Sequence, residues 1–189
     1  DRDQPTVLPE EVPYDWPLRE ASRMVNAAGS RWHVQRMGSG PKLLLIHGTA
    51  ASTHTWRGLM PLLAECHDVL AVDLPGHGFS ERLPDKSMTL PSLANGLGEL
   101  LARLDFAPDC IVGHSAGAAI GLRMVLDGTV GPGAVIGINA ALLPFGGPMR
   151  RIFAPMAQLF ATTQLMPALV ARRAGDVRHS GGRTAICPC

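Results

Sequence analysis

The chain has 189 residues, 46% hydrophobic and 17% charged, with a formal net charge of +1. That is one globular domain's worth of chain with enough apolar surface for a core. A near-neutral balance without a basic stripe of Lys and Arg argues against nucleic acid as a partner.

In chain order, residues 1–21 form a polar lead-in broken by Pro5, Pro9, Pro13 and Pro17, with little periodicity. Ser22 to Asn26 and Arg31 to Met37 are two extended runs. The second roughly alternates apolar and polar residues, as a hairpin strand with one wet face would. Gly38 to Pro41 is a turn, and Leu43 to Ile46 is continuously apolar, the pattern of a parallel strand buried on both faces. A helix-like piece follows from Trp56 to about Glu65, with Leu59, Leu62 and Leu63 on one side. His67 to Asp73 reads as the next strand, and Leu90 to Leu104 has a helical period of leucines. Cys110 to Val112 is a short strand, Ala116 to Leu126 a helix, and Ala134 to Ile138 another strand. The succession of strand, loop and helix predicts an α/β fold with a mostly parallel sheet and right-handed crossovers.

Three loops carry the chemistry. Gly113-His114-Ser115-Ala116-Gly117 joins a buried strand to a helix, the context in which G-x-S-x-G exposes a serine on a tight, strained turn. Ser115 is the candidate nucleophile, and the Ala116 N–H, at a helix N-terminus, is a candidate oxyanion donor. His47-Gly48-Thr49 ends the Leu43 strand; a glycine at 48 allows a sharp turn, and the Thr49 N–H is the second candidate donor. Asp73-Leu74-Pro75-Gly76-His77-Gly78-Phe79-Ser80 sets a rigid turn beside them. Such loops converge at the C-terminal edge of a parallel sheet. His47, Gly48, Gly113, His114 and Gly117 are read as residues of the site loops, with His47 shaping the oxyanion loop and His114 a pocket wall. The bland alternative for Ser115 is a turn serine that only caps its helix.

The HG loop, the D-x-P-G-x-G-x-S loop and G-H-S-A-G, in that order, resemble the α/β-hydrolase superfamily. The stretches DWPLREASRMV, RWHVQRMGSGP, LLLIHGTAASTHTWRGLMPLL, DLPGHGFS, GHSAGAAIGLRM and NAALLPFGG further resemble the magnesium chelatase accessory proteins of bacteriochlorophyll synthesis, over about Asp15 to Arg173. The resemblance implies an α/β-hydrolase core, serine-hydrolase chemistry on an ester or acyl bond of a hydrophobic substrate, and a link to magnesium chelatase and photosynthetic pigment. The alternative is a non-catalytic accessory protein that holds a tetrapyrrole precursor or docks on the chelatase.

One departure bears on activity. The superfamily orders its triad as Ser, then an acid, then His. After Ser115 this sequence offers Asp127, Asp176 and His179 alone. Asp127 falls near the end of the nucleophile's own helix, and the other two lie in a stretch without pattern. The expectation is a truncated chain lacking the last strands of the fold and inactive for want of an acid and a base.

The expected partition is 1–21 lead-in, 22–143 core, 144–173 the start of a helical cap, and 174–189 an aberrant or disordered tail. Ile152 to Ala171 is twenty residues without a charge, bracketed by arginine pairs. Its prolines and glutamines make it a poor membrane span, so a cap over an apolar pocket is the reading, with peripheral membrane contact through 152–171 the alternative. Phe145, Phe153, Met156, Phe160 and Met166 would line that pocket or pack the cap onto the core. Cys66 and Cys110 read as buried free thiols, which suits a cytoplasmic protein. Cys187-Pro188-Cys189 has no further ligand at metal spacing, so neither a metal nor another cofactor is expected.

Overall fold

The computed structural model describes residues 10–85 and 87–142. The expected cap at 144–173, the tail at 174–189 and the uncharged 152–171 segment lie outside the described residues.

Six strands form one mixed sheet in the order β1-β2-β4-β3-β5-β6. They are β1 (Ser22–Ala27), β2 (Ser30–Met37), β3 (Lys42–Ile46), β4 (Asp68–Val72), β5 (Cys110–His114) and β6 (Ala134–Ile138). β1 and β2 form a hairpin, and β2 runs antiparallel to β4; β4, β3, β5 and β6 are mutually parallel. Three helices supply the crossovers: α1 (Met60–Leu63), α2 (Leu90–Arg103) and α3 (Ala116–Leu126).

The period-2 pleat divides the apolar strand runs between two faces. Leu44, Ile46, Leu70, Val72 and Ile111 point to one side, against Leu93, Leu97, Leu100 and Leu101 of α2 and Ile120 and Met124 of α3. Leu43, Leu45, Val69, Ala71 and Val112 point to the other, against Trp56 and Met60. α2 begins where Thr89 takes up an extended backbone and its side chain accepts from the Ser92 N–H, and Pro91 fits the first turn, where no intrahelical donor is needed.

Three expectations are corrected. The helix foreseen over Trp56 to about Glu65 is a 3-10 turn at Thr53–Trp56 followed by the single turn of α1. Gly58 between them and Pro61 at the start of α1 keep the two from fusing. Trp56 and Met60 make the core contact, while Leu62 is exposed. In β2 the foreseen wet face is absent: His33 and Gln35 are as buried as Trp32 and Val34. The lead-in covers that face, since Gln35 Nε2 donates to Pro17 O at 2.8 Å and Leu18 O at 3.1 Å, and Val12 is buried with its carbonyl accepting from Arg19 Nε. The cysteines also differ from expectation: both are half-buried, Cys66 is disulfide-bonded, and Cys110 is the free thiol among the described residues.

The connections from β3 and β5 leave in opposite directions along the sheet, β3 toward β4 and β5 toward β6. Their C-terminal ends therefore flank the crevice at which open α/β sheets bind ligands.

β6 has a neighbour on one side only among the described residues, and all five of its residues are exposed. Ile136 is 50% exposed, Leu142 54% and Leu126 of α3 74%. An apolar strand edge of this kind promotes pairing between chains. The isolated chain is expected to self-associate with rising concentration in sedimentation velocity, and Ile136→Lys to reduce that association without lowering the melting temperature.

Candidate active site

At the end of β5 the chain turns sharply into α3 through Ser115, whose backbone sits at φ 52, ψ −116. For a residue with a Cβ this is a strained conformation. The neighbouring glycines make it possible by leaving room. A Cβ on Gly113 would overlap the backbone of Ala118, and one on Gly117 would overlap the carbonyl oxygens of Ile46 and His47 at the end of β3. Small residues two before and two after the serine thus let α3 lie directly on the β3–β5 crevice.

Gly48 serves the same purpose from the other side. Its φ is not in the left-handed region; the positive φ in this loop belongs to Ala50, at 58°. A Cβ on Gly48 would stand 3.0 Å from Ser115 Cβ and 3.1 Å from His114 Nδ1. Close approach to the elbow, rather than turning ability, is what requires glycine here. The Thr49 and Ala116 N–H groups, both foreseen as oxyanion donors, bond to no other described residue. Ser115 Oγ likewise makes no hydrogen bond, so it does not cap α3.

His47 ties the oxyanion loop to the next loop. Its ring is fully buried, with Nδ1 2.7 Å from Gly48 O and Nε2 3.0 Å from the Leu74 nitrogen. A carbonyl can only accept and an amide N–H can only donate, so Nδ1 carries the proton and Nε2 is bare. Burial pushes its pKa down to about 4, with the nearby Asp73 charge pulling the other way.

Beneath these loops lies a group that sequence reasoning did not single out. Asp73, at the end of β4, is fully buried. Its Oδ1 accepts from the Thr53 N–H at 2.6 Å; its Oδ2 accepts from the Phe79 N–H at 3.0 Å and meets His33 Nδ1 at 2.8 Å. His33 Nε2 lies 3.0 Å from Ser22 Oγ, and Ser80 Oγ donates to the Asp73 carbonyl while accepting from the His33 N–H. Burial would raise the Asp73 pKa, but the His33 hydrogen bond and charge, His47 and the Thr53 N–H together hold it below the usual carboxylate value. Gly78 is glycine because a Cβ there would run into this carboxylate. Two signals were present in the sequence: an acid closing an apolar strand, and a histidine within an otherwise alternating one.

Trp16 reaches the same region from the lead-in. Its ring packs edge-on to Phe79 with centroids 4.8 Å apart and lies 5.4 Å from His54. Asp127 is not at the site; it pairs with Arg123 at the end of α3. Asp176 and His179 lie outside the described residues. Among the described residues no group of three or more His, Cys, Asp or Glu side chains could hold a metal ion, and no helix is long and apolar enough to cross a membrane.

Residues 41–142 match the family model described as alpha/beta hydrolase fold. The chain belongs to that family. Among curated relatives, the magnesium-chelatase 30 kDa subunit of Rhodobacter capsulatus is 38% identical over 166 residues, which covers 87% of this chain and 58% of that protein. A fluoroacetate dehalogenase from a Burkholderia species is 39% identical over 94 residues, 48% of this chain and 31% of its own length. An alpha/beta hydrolase fold protein from Burkholderia ambifaria superposes with a TM-score of 0.65 at 31% identity, over 82% of this chain and 58% of that one. The chain thus spans well under two thirds of the length of these relatives.

Two outcomes test this geometry. Gly113→Ala is expected to destabilise the fold by about 3 kcal/mol in urea titration, since its methyl meets backbone that cannot move aside, whereas Gly58→Ala, with nothing within 4 Å, stays within about 0.5 kcal/mol. The second concerns pH. His47 is harder to protonate folded than unfolded, so its contribution is complete above the ordinary histidine value of 6.5 and is lost as pH falls toward about 4. Asp73 adds a loss of the same sign below the ordinary aspartate value of 3.8. Urea midpoints are therefore expected to fall on acidification, His47 alone accounting for up to about 3 kcal/mol; a flat profile between pH 6.5 and 4 would contradict the His47 hydrogen bonds.

Proposed function

We propose that this chain carries the nucleophile and oxyanion half of a serine-hydrolase site for an ester or similar acyl bond of a hydrophobic substrate. The observation that carries this reading is the strained Ser115 elbow packed against Gly48, with two unengaged N–H groups beside it. In a competent site, Ser115 Oγ attacks the acyl carbon while a base takes its proton. The carbonyl oxygen becomes an oxyanion held by the Thr49 and Ala116 N–H groups. The acyl–oxygen bond then breaks, the leaving alcohol takes up the proton, and water releases the acyl group. Neither an acid nor a base bonds to Ser115 Oγ among the described residues, and an unassisted serine hydroxyl is a weak nucleophile. This chain by itself is therefore inactive in our reading. The name of the Rhodobacter capsulatus relative supports a setting in magnesium chelation; we extend this, from the motif resemblance alone, to bacteriochlorophyll synthesis in the cytoplasm or at its membrane face.

A second reading has its own support. The same relative is named as a chelatase subunit rather than a hydrolase, and no described residue bonds to Ser115 Oγ. Here the fold is a non-catalytic accessory that holds a tetrapyrrole precursor or docks on the chelatase.

The two readings part on one substitution. Where a full-length relative carries a serine at the position matching Ser115, replacing it by alanine is expected to reduce pigment synthesis at least tenfold, the scale of lost nucleophilic catalysis. Pigment at the wild-type level would rule out acyl-enzyme chemistry and leave the accessory reading. On the 189-residue chain itself, a fluorophosphonate probe is expected to give no labelling above that of Ser115→Ala.

A further inference from the structure

Three histidines surround the oxyanion loop, and their ring nitrogens are used differently. His47 has both engaged. His77 donates from Nδ1 to Pro75 O at 3.1 Å, leaving a bare, buried Nε2. The His114 ring makes no hydrogen bond to any described residue: its Nδ1 is buried and unpartnered, while its Nε2 is not among the buried atoms. The ring is half-buried, immediately before Ser115 at the end of β5.

Which nitrogen holds the proton follows from what each one faces. Nδ1 is buried with no acceptor in hydrogen-bond reach, and it lies 3.1 Å from the position that a Cβ on Gly48 would take. A buried N–H without an acceptor forfeits a full hydrogen bond, and such orphans are rarer than buried lone pairs without a donor. In the one-proton form of the ring, Nδ1 is therefore bare and the proton sits on Nε2, the nitrogen that solvent reaches. No side chain of the described residues takes that donor. The Gly48 Cβ position that lies 3.1 Å from the His114 ring is 3.0 Å from Ser115 Cβ, so the ring and the nucleophile flank one point on the oxyanion loop.

We propose that His114 is a substrate-binding residue whose Nε2–H takes an acceptor oxygen carried beside the bond that Ser115 addresses. The class of substrate it selects is an acyl compound with a second carbonyl or carboxylate oxygen near the reacting carbonyl, as in keto esters or half-esters of dicarboxylic acids. A plain aliphatic ester leaves the donor unpaired, and sites built to satisfy a polar group discriminate against analogues that lack it. The proposal deepens the reading of the elbow as an acyl-binding site and rests on it.

The test starts with the full chain labelled with 15N-histidine, by NMR in solution or on the sedimented protein. His114 is expected as the Nε2–H tautomer; an Nδ1–H tautomer would overturn the proposal. Monomethyl succinate and pentanoate are then titrated in, two acids of one charge of which only the first carries a second carbonyl. Monomethyl succinate is expected to shift the His114 Nε2–H resonance and to bind about fivefold more weakly to His114→Phe, the effect of one hydrogen bond. Pentanoate is expected to bind both within about twofold, and His114→Gln, which keeps a donor at similar reach, to restore monomethyl succinate binding. No shift at His114, or a Phe variant that binds monomethyl succinate as tightly as the wild type does, would overturn the assignment. Failure of the Ser115 reading registers elsewhere, in the serine replacement in the relative, and leaves the His114 tautomer as it is.

Discussion

The buried carboxylate of Asp73 organises the region around the candidate site. A carboxylate taken out of water must be met by donors or it destabilises the fold by several kcal/mol. Here the donors come from three separate places: Thr53 after the oxyanion loop, Phe79 at the far end of the D-x-P-G-x-G-x-S turn, and His33 in the antiparallel hairpin. Satisfying one side chain therefore holds together segments far apart in the chain. His47 adds a second tie above it, joining Gly48 to Leu74 through a ring that needs one tautomer for both bonds. The loops beside Ser115 are positioned by buried polar contacts whose protonation states are fixed by their partners.

The second constraint is space. Gly113, Gly117 and Gly48 each occupy a point where another backbone or the elbow itself lies within a methyl's reach. Their joint effect is to press α3, the end of β3 and the oxyanion loop onto one another at the crevice where the sheet's connections diverge. Ser115 is left in a strained conformation with its hydroxyl unbonded. Strain at one serine, over-determined by three glycines, is how the fold presents that side chain instead of burying it.

Much of this was legible in the chain. The continuous apolar run at Leu43–Ile46 indicated a strand covered on both faces, because no alternation survives when neither face is wet, and His67–Asp73 read as the next strand. The leucine period over Leu90–Leu104 indicated α2, and the three loop motifs in sequence order indicated where they would meet. What was misjudged shares one cause. β2 looked half-exposed because His33 and Gln35 are polar, yet both are buried against the lead-in and the Asp73 turn. The lead-in read as polar and without periodicity because proline breaks it, yet Val12 and Trp16 dock. Gly48 looked like a turn residue and is a contact residue. For His33, Gln35, Trp16 and Gly48 the deciding partner is distant in the chain, and local pattern carries no information about it.

The sequence alone determined the α/β class, the order of the strands along the chain and the serine on its elbow, because hydrophobic period and glycine-flanked turns are local properties of a short stretch. Tertiary structure decided the rest. It brought Thr53, Phe79 and His33 to one carboxylate, set the proton on His47 through Gly48 and Leu74, and placed His114 against Gly48 with its outer nitrogen open. Those outcomes depend on which groups meet when water is excluded, and hydrogen-bond partners across a sheet are chosen by burial, not by neighbours in the chain.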